Sequence, residues 1–286
     1  MGSHPLERLA RQDTVDLSAV PPTNGLSFRR TDAPESIVNA MGEYQAMLDA
    51  IHDGLVNKSQ SGCSDDPQER ANHIKGFGYF QDSTMVGICR LPDAALLKEP
   101  IRNSDIDRLA EDLRTRQTST LAAGIDIIMA DLKDSMEHPP ETISGHSHAI
   151  VFLNEFPRDP ASDELGCEWI EDAQLARASL RSNETATIIA NYIRLLGYQA
   201  RAHSQTTTSI DLNKLTVQAG LATVEDGDLI NPYIGNRFGV SVVTTDFELA
   251  VDRPLKPLAK QTRSRSHGIA WRVGKGFSKN AFNYVP

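Results

Sequence analysis

The sequence predicts an α/β domain, because helical and strand-like segments alternate along the chain. The clearest alternation lies between Asn183 and Leu249, in the order helix, strand, helix, loop and strand. Its first third has apolar residues at the i, i+3, i+4 and i+7 positions of one helical face: Ile189, Tyr192, Ile193 and Leu196. Gly197 follows where a left-handed C-cap is favoured, so a buried helix is predicted to end there.

The other elements follow from the same periodicities. Strands are predicted at apolar or alternating runs: Met85–Leu91, His148–Phe156, Tyr198–Ser204 and Gly239–Leu249. Helices are predicted where apolar residues recur with helical spacing: Glu35–Leu55, Glu69–Phe80 with its end near Gly76 and Gly78, Ser104–Arg116, Ser119–Met136 and Ile210–Leu221. These elements belong to one predicted domain over residues 32–255.

The two ends of the chain differ from this domain. Residues 1–31 mix charged residues with Pro21, Pro22 and Gly25 and have no sustained period, so an extended arm is predicted. Residues 256–286 combine Lys, Arg and Gly, which is typical of a basic linker-like tail.

Composition limits the classes of function. A chain of 286 residues with 40% hydrophobic and 23% charged residues can bury a substantial core. The net charge of −9 argues against a nucleic-acid partner, because phosphates would be repelled. Apolar runs are shorter than the ~20 residues of a membrane helix, and no signal sequence is evident. With three scattered cysteines, the chain is expected to be soluble and cytoplasmic, without disulfides.

Four pieces of the sequence resemble the reductive dehalogenase family. They are HIKGFGYFQDSTMVGICRL at 73–91, HAIVFLNEF at 148–156, ANYIRLLGYQARAH at 190–203 and AGLATVEDGDLINPYIGNRFGVSVVTTDFEL at 219–249. The last two are the more specific, and the resemblance covers roughly residues 70 to 255. It implies a nitroreductase-like, cobalamin-binding-like fold with a mostly antiparallel sheet flanked by helices.

The resemblance also implies a chemistry. In catalytic members a corrinoid acts on a halogenated substrate, two [4Fe-4S] clusters supply electrons, and a tyrosine near a basic side chain supplies a proton. This sequence departs from that pattern. After the VTTD strand no cysteine follows, and three cysteines are too few for a Cys₄ cluster. No tyrosine lies between Asp172 and Glu184, and Gly239 stands where the basic residue is expected, two positions after Arg237.

These departures predict no catalytic residue and no metal ligand in this chain. His146 and His148 could offer two imidazoles, but no third ligand is indicated, so ordinary loop histidines are the simpler interpretation. The loop 226–237 is the predicted cofactor-binding segment, with glycines that permit close approach and polar side chains that could address a ligand: Asn231, Tyr233, Gly235 and Arg237. The alternative is a turn that only closes the sheet.

The leading hypothesis is a non-catalytic scaffold half of a reductive dehalogenase-type protein. It would pack, in cis or in trans, against a partner half that bears the [4Fe-4S] clusters and the cobalamin and acts on halogenated aromatics. This chain would then carry no cofactor, although cobalamin remains possible. The alternative hypothesis is a stand-alone corrinoid- or flavin-binding protein without dehalogenase activity. A third is an active enzyme that draws electrons from a separate reductase.

Overall fold

The computed structural model describes residues 4–30, 32–108, 142–157 and 173–257, together with Glu111, Ala161, residues 163–165 and Cys167. The helices of these residues are α1 (Ile37–Ala50), α2 (Pro67–Phe80), α3 (Ala173–Leu195) and α4 (Leu212–Gln218). The strands are β1 (Met85–Arg90), β2 (Leu96–Ile101), β3 (His148–Glu155), β4 (Ala200–His203), β5 (Thr208–Ile210), β6 (Thr223–Glu225), β7 (Asp228–Ile230) and β8 (Phe238–Thr245). The helices predicted at 104–116 and 119–136 lie outside the described residues, except for 104–108 and Glu111.

The central sheet has the strand order β1-β3-β8-β4, and its three strand pairs are all antiparallel. Val151 of β3 lies opposite Gly87 on one side and Val242 on the other, so β3 and β8 are the inner strands. Two small antiparallel pairs, β2-β5 and β6-β7, accompany it. The predicted mixed α/β class with an antiparallel sheet and flanking helices is therefore confirmed.

Helices cover both faces of this sheet. On one face Ile88, Phe152 and Val243 pack with residues of α2 and α3, including Ile74 and Ile189. On the opposite face, Val151 of β3 and Val242 of β8 pack with Leu215 of α4. Because β3 and β8 are buried on both faces, β3 has an apolar run from Ala149 to Leu153, and β8 combines valines with small or hydroxyl-bearing residues, a β-rich composition that made both strands predictable.

Two glycines shape the packing of α2 and the end of α3. Helix α2 continues through Gly76 and Gly78 to Phe80 rather than ending at them. A Cβ on Gly78 would lie 2.8 Å from Val86 Cγ2, so glycine permits close helix–sheet packing. Helix α3 ends at Leu195, and Gly197 has a φ of +89°, which confirms the predicted left-handed C-cap.

The two edge strands of the sheet, β1 and β4, form hydrogen bonds with other parts of the chain. At β1, the amide of Ile88 donates to Asp252 Oδ2 at 2.8 Å, and the amide of Asp252 donates to the Ile88 carbonyl at 2.7 Å. At β4, the amide of Ala202 donates to the His52 carbonyl at 2.9 Å. Such cover removes edge groups that could pair with another chain.

The predicted arm, where described, lies on the domain itself. It contains two short 3-10 turns, Leu6–Arg8 and Leu17–Ala19, and is otherwise irregular. Arg11 donates from Nη1 to the carbonyls of Gly220 and Arg253, both at 2.8 Å. In the described part of the chain, no helix is both long and apolar enough to cross a membrane.

Candidate functional site

The loop predicted to bind a cofactor is a hairpin followed by a tight turn. Asp226 and Gly227, both with positive φ, connect β6 to β7. The turn is closed by paired backbone hydrogen bonds between Asn231 and Gly235, at 2.8 and 2.9 Å. Gly235 has a φ of +67°, a conformation that favours glycine. The glycines therefore shape the turn.

Asn231 serves the fold of this loop. It is 1% exposed, and its Nδ2 donates to the Leu221 carbonyl at 2.6 Å. Its Oδ1 accepts from the amides of Tyr233 and Ile234, at 2.8 and 3.1 Å. With both ends of the amide engaged, Asn231 does not fit a ligand-binding role unless the turn opens.

Tyr233 and Arg237 have different surroundings. The Tyr233 hydroxyl donates to the Pro5 carbonyl at 2.9 Å, and the His4 ring stacks on the Tyr233 ring with centroids 5.2 Å apart. The arm thus engages the Tyr233 hydroxyl and stacks on its ring, although the residue stays 39% exposed. A cofactor could not use that hydroxyl while the arm is in place. Arg237 is exposed, and its side chain has no hydrogen bond or ion pair to the described residues. Cofactor binding by this loop stays a prediction.

Gly239, at the position expected to be basic, is covered by α3. A Cβ placed on Gly239 would lie 2.4 Å from the Ser179 nitrogen and 2.5 Å from the Ala178 carbonyl carbon. Gln205 reinforces this contact, because its Oε1 accepts from Ser179 Oγ and from the Val240 amide, at 2.5 and 3.2 Å. The helix backbone occupies the space that any larger side chain at this position would need.

A cleft of about 290 Å³ lies beside this contact, between α3 and the ends of β1 and β3. We call it the α3 cleft. Its polar wall comprises Asp82, Thr84, Asn154, Glu155, Arg177 and Arg181, and its apolar wall Phe156 and Ala178. No sequence motif indicates this site, because its residues come from three separate segments.

One wall of the α3 cleft is held by a connected group. Arg181 Nη2 lies 3.0 Å from Asp82 Oδ2, and Asn154 Nδ2 donates to the Asp82 carbonyl at 3.1 Å. Asp82 has a φ of +62°, which is uncommon for a residue other than glycine. Asn154 is 5% exposed, and its Oδ1 has no hydrogen-bond partner among the described residues.

A second group without a sequence motif surrounds the buried carboxylate of Asp49, in α1. Oδ1 accepts from the side chains of Gln45, Asn183 and Ser204, at 2.9, 3.0 and 2.7 Å. Oδ2 accepts from Asn103 at 2.9 Å and also from Thr206. Burial raises the pKa of Asp49, while these neutral donors oppose that rise. The group joins α1, α3 and the turn before β5.

Two of the histidines share one threonine hydroxyl, and a third contacts a serine. His146 Nδ1 and His203 Nε2 lie 2.7 and 2.9 Å from Thr244 Oγ1, whereas His148 Nδ1 lies 2.8 Å from Ser147 Oγ. Burial lowers the pKa of His146 and of His148 to about 4. The described residues contain no group of three His, Cys, Asp or Glu that could hold a metal ion.

The cysteines are dispersed as well. Cys89 is buried in the core, where burial raises the pKa of its thiol far above the usual range. Cys63 and Cys167 are partly buried, and neither is in a disulfide. A single isolated thiol cannot ligate an iron–sulfur cluster on its own.

Comparison with known proteins identifies relatives. No protein-family model matches the chain, and no curated protein sequence matches it either. A solved structure of the catabolic reductive dehalogenase NpRdhA is similar, with 33% identity over 89% of this chain and 30% of that chain and a TM-score of 0.64. Two further structures are similar: the complex of NpRdhA with 3-bromo-4-hydroxybenzoic acid, and a reductive dehalogenase structure described as suggesting a mechanism for B12-dependent dehalogenation. Each is 32% identical over 90% of this chain and 30% of that chain, with a TM-score of 0.66.

These similarities relate the chain to catabolic oxidoreductases. The chain belongs to a reductive dehalogenase-like family, as its sequence motifs predicted. It spans about 30% of the length of the relatives that it matches.

Proposed function

We propose that this chain is the non-catalytic scaffold half of a reductive dehalogenase-type protein with a nitroreductase-like, cobalamin-binding-like fold. It would support cobalamin- and [4Fe-4S]-dependent dehalogenation of halogenated aromatics by a cluster-bearing partner half, in cis or in trans, in the cytoplasm. The similarity supports this role, because almost all of this chain corresponds to less than a third of each relative.

The contact between Gly239 and α3 is the observation that carries the proposal. The resemblance implies a basic side chain at this position in catalytic members, next to the tyrosine that donates a proton. Here the residue is glycine, and the Ser179 and Ala178 backbone fills the adjoining space. A basic side chain could not be restored without moving α3, so a proton relay of the family type has no room at this point.

Exposed apolar side chains on α1 supply a surface for a partner. Ile37, Tyr44 and Met47 are 50%, 67% and 40% exposed, and they recur at helical spacing along one helix. Clusters of exposed apolar residues mark interaction sites more often than isolated ones do. A cluster-bearing half that packs here would remove this surface from water.

The test is a titration of the purified chain with hydroxocobalamin, followed by its visible spectrum and by cobalt analysis. We expect no saturable spectral change and no stoichiometric cobalt. In parallel, the chain is mixed with a cobalamin-loaded, cluster-bearing half, where we expect a complex that Tyr44→Ser and Met47→Ser weaken. Stoichiometric corrinoid in the isolated chain, or no complex with such a half, would refute the scaffold role.

The alternative is a stand-alone corrinoid- or flavin-binding protein. It is favoured by Arg237, which is exposed without a described partner, and by Gly235, around which a Cβ would meet no atom within 4 Å. This alternative predicts saturable binding of cobalamin or FMN that weakens in Arg237→Ala and is unchanged in Arg253→Ala. Absence of any spectral change at high ligand concentration would eliminate it.

A further inference from the structure

We infer that Asn24, in the arm, is a site of spontaneous modification, at which the side-chain amide is hydrolysed to a carboxylate through a cyclic succinimide formed with Gly25. Water is the only co-reactant, so neither a cofactor nor a second protein takes part. The inference does not depend on the scaffold role, because it uses only the arm and the segments that hold it.

The reaction has two steps. The backbone nitrogen of Gly25 attacks Cγ of Asn24, the bond from Cγ to Nδ2 breaks, and Nδ2 leaves as ammonia with the proton of the Gly25 amide. Water then opens the succinimide at either of its carbonyls. One opening leaves aspartate, and the other leaves isoaspartate, in which the main chain runs through Cβ and Cγ. One water is consumed for each ammonia released, and no electrons are transferred.

The sequence provides the pair of residues that this reaction needs. Asn24 is the only asparagine in the chain that is followed by glycine. Because glycine has no Cβ, the nitrogen of Gly25 is easier to approach than that of any other residue after an asparagine. Gly25 does not have the positive φ of Gly197 or Gly235, so the conformation of the backbone does not account for a glycine here.

The structure leaves both reacting groups available. Asn24 and Gly25 are exposed in an irregular part of the arm, and neither forms a hydrogen bond to the described residues. Asn103 is the contrast, because its Nδ2 donates to Asp49 Oδ2 at 2.9 Å and its Oδ1 accepts from the Asp105 amide at 3.0 Å. That amide is held at both ends, whereas the amide of Asn24 can turn toward the Gly25 nitrogen.

The arm is anchored on both sides of the reactive pair. Thr23 Oγ1 donates to Asp211 Oδ1 at 2.9 Å, and the Leu26 amide donates to the Gln205 carbonyl at 2.9 Å. An isoaspartate at 24 adds one main-chain atom between these two anchors, whose partners belong to the folded domain. We therefore expect the modified arm to loosen its hold at Leu26.

The test follows the two asparagines in the full chain during incubation in mildly alkaline, heavy-oxygen water. Digestion with trypsin in ordinary water then gives fragment 12–29, in which Asn24 is the only asparagine, and fragment 103–108, which contains Asn103. We expect fragment 12–29 to gain the mass that replacement of NH₂ by OH adds, with one heavy oxygen atom, and electron-transfer fragmentation to detect isoaspartate. Asn103 should convert at least about tenfold more slowly.

Two glycine variants test the geometry. Gly25→Ala places a Cβ 3.0 Å from Cγ2 of Ile101, which is the end of a side chain, so a small shift accommodates it while the nitrogen is hindered. Conversion at residue 24 should slow at least about tenfold. Gly62→Ala, where a Cβ meets no atom within 4 Å, should convert as the parent does. Equal rates at Asn24 and Asn103, or the parental rate in Gly25→Ala, would overturn the inference.

Hydrogen exchange measures the consequence for the arm separately. In chains enriched in isoaspartate, the Leu26 amide should exchange at least about tenfold faster than in the parent, because its bond to Gln205 opens more often. Asn24→Asp has the carboxylate without the extra main-chain atom, so it should keep the parental exchange. Unchanged exchange of Leu26 in the isoaspartate chains would show that both anchors hold and would overturn this consequence.

Discussion

Gly239 of β8 and Ser179 of α3 are in direct backbone contact, with only 2.4 Å between the Ser179 nitrogen and the position of a Cβ on Gly239. Real Cβ atoms do not approach a nitrogen this closely, so a side chain at 239 must displace α3 or β8. Both elements lie in the core, and neither has room to move cheaply.

Substitution of Gly239 should therefore be destabilising. We expect Gly239→Ala to lower the free energy of unfolding by about 1–3 kcal/mol, the usual cost of overpacking, and Gly239→Lys by more. Gly62→Ala is the matched control, because a Cβ there meets no atom within 4 Å. Urea unfolding measures both, and a Gly239→Ala protein as stable as Gly62→Ala would contradict the contact.

Arg11 should hold the arm in place. It donates to the carbonyls of Gly220, Arg253 and Leu6, at 2.8, 2.8 and 3.0 Å, so Arg11→Ala removes three hydrogen bonds at once. We expect amide exchange at Gln12 and Lys256, which pair with Pro254 and Ala10, to accelerate at least about tenfold. Hydrogen-exchange mass spectrometry checks this. Arg8→Ala, at an exposed position of the same arm, should leave the exchange unchanged.

Asp49 should be among the most sensitive polar positions in the described core. In Asp49→Asn, one carboxylate oxygen becomes an amide nitrogen, which faces either the donors at Oδ1, such as Ser204, or those at Oδ2, such as Thr206. We expect a loss of about 2 kcal/mol or more in the free energy of unfolding, because buried donors lose their acceptor. Asp65→Asn is the control. Its carboxylate is exposed, so its pairing with Arg70 should contribute less than about 1 kcal/mol.

Stability should fall in mild acid because of buried histidines. Burial, with a contribution from Arg201, lowers the pKa of His146 to about 4 and that of His203 well below its usual value. The unfolded chain has histidine pKa values near 6.5, so between about pH 6.5 and 4 it binds more protons than the folded chain. The histidine contribution to the free energy of unfolding is therefore complete above about pH 6.5 and decreases as pH falls through that window.

Urea titrations between about pH 7.5 and 4.5 check this dependence. In His146→Asn, whose amide can replace Nδ1 at Thr244, the decrease should be smaller than in the parent. Burial raises the pKa of Asp49, so protonation of this carboxyl favours the folded chain. Near the acid end of this pH range, it therefore opposes the loss of stability that the histidines cause. An identical pH dependence in parent and variant would show that His146 does not titrate in this window.

Local sequence patterns predicted the longer elements well. Strand β3 was evident as an apolar run, β8 as a β-rich run bounded by turn residues, and α3 from its helical spacing and from Gly197. Strands β2 and β5 were missed, because β5 has three residues and β2 is mostly exposed and contains Pro100. Their pairing joins Leu96 to Ile210, a contact between segments that are far apart in the chain.

The candidate sites were likewise predictable only where they consist of residues that are neighbours in the sequence. The sequence indicated the loop with Asn231 and Tyr233, but it could not show that the arm and the turn itself use their polar atoms. The α3 cleft and the carboxylate of Asp49 draw on residues from distant segments, and no spacing rule connects them. A glycine at 239 could be seen in the sequence, whereas the helix that makes it necessary could not.

By itself, the sequence determined the α/β class, the buried strands, the end of α3 and the resemblance to reductive dehalogenases. Those properties depend on periodicity and short motifs, which act over neighbouring residues. Only the tertiary structure decided the strand order, the place of the arm, the contact of Gly239 with Ser179 and the residues of the α3 cleft. These depend on packing between segments whose approach is set by the whole core rather than by any one stretch of chain.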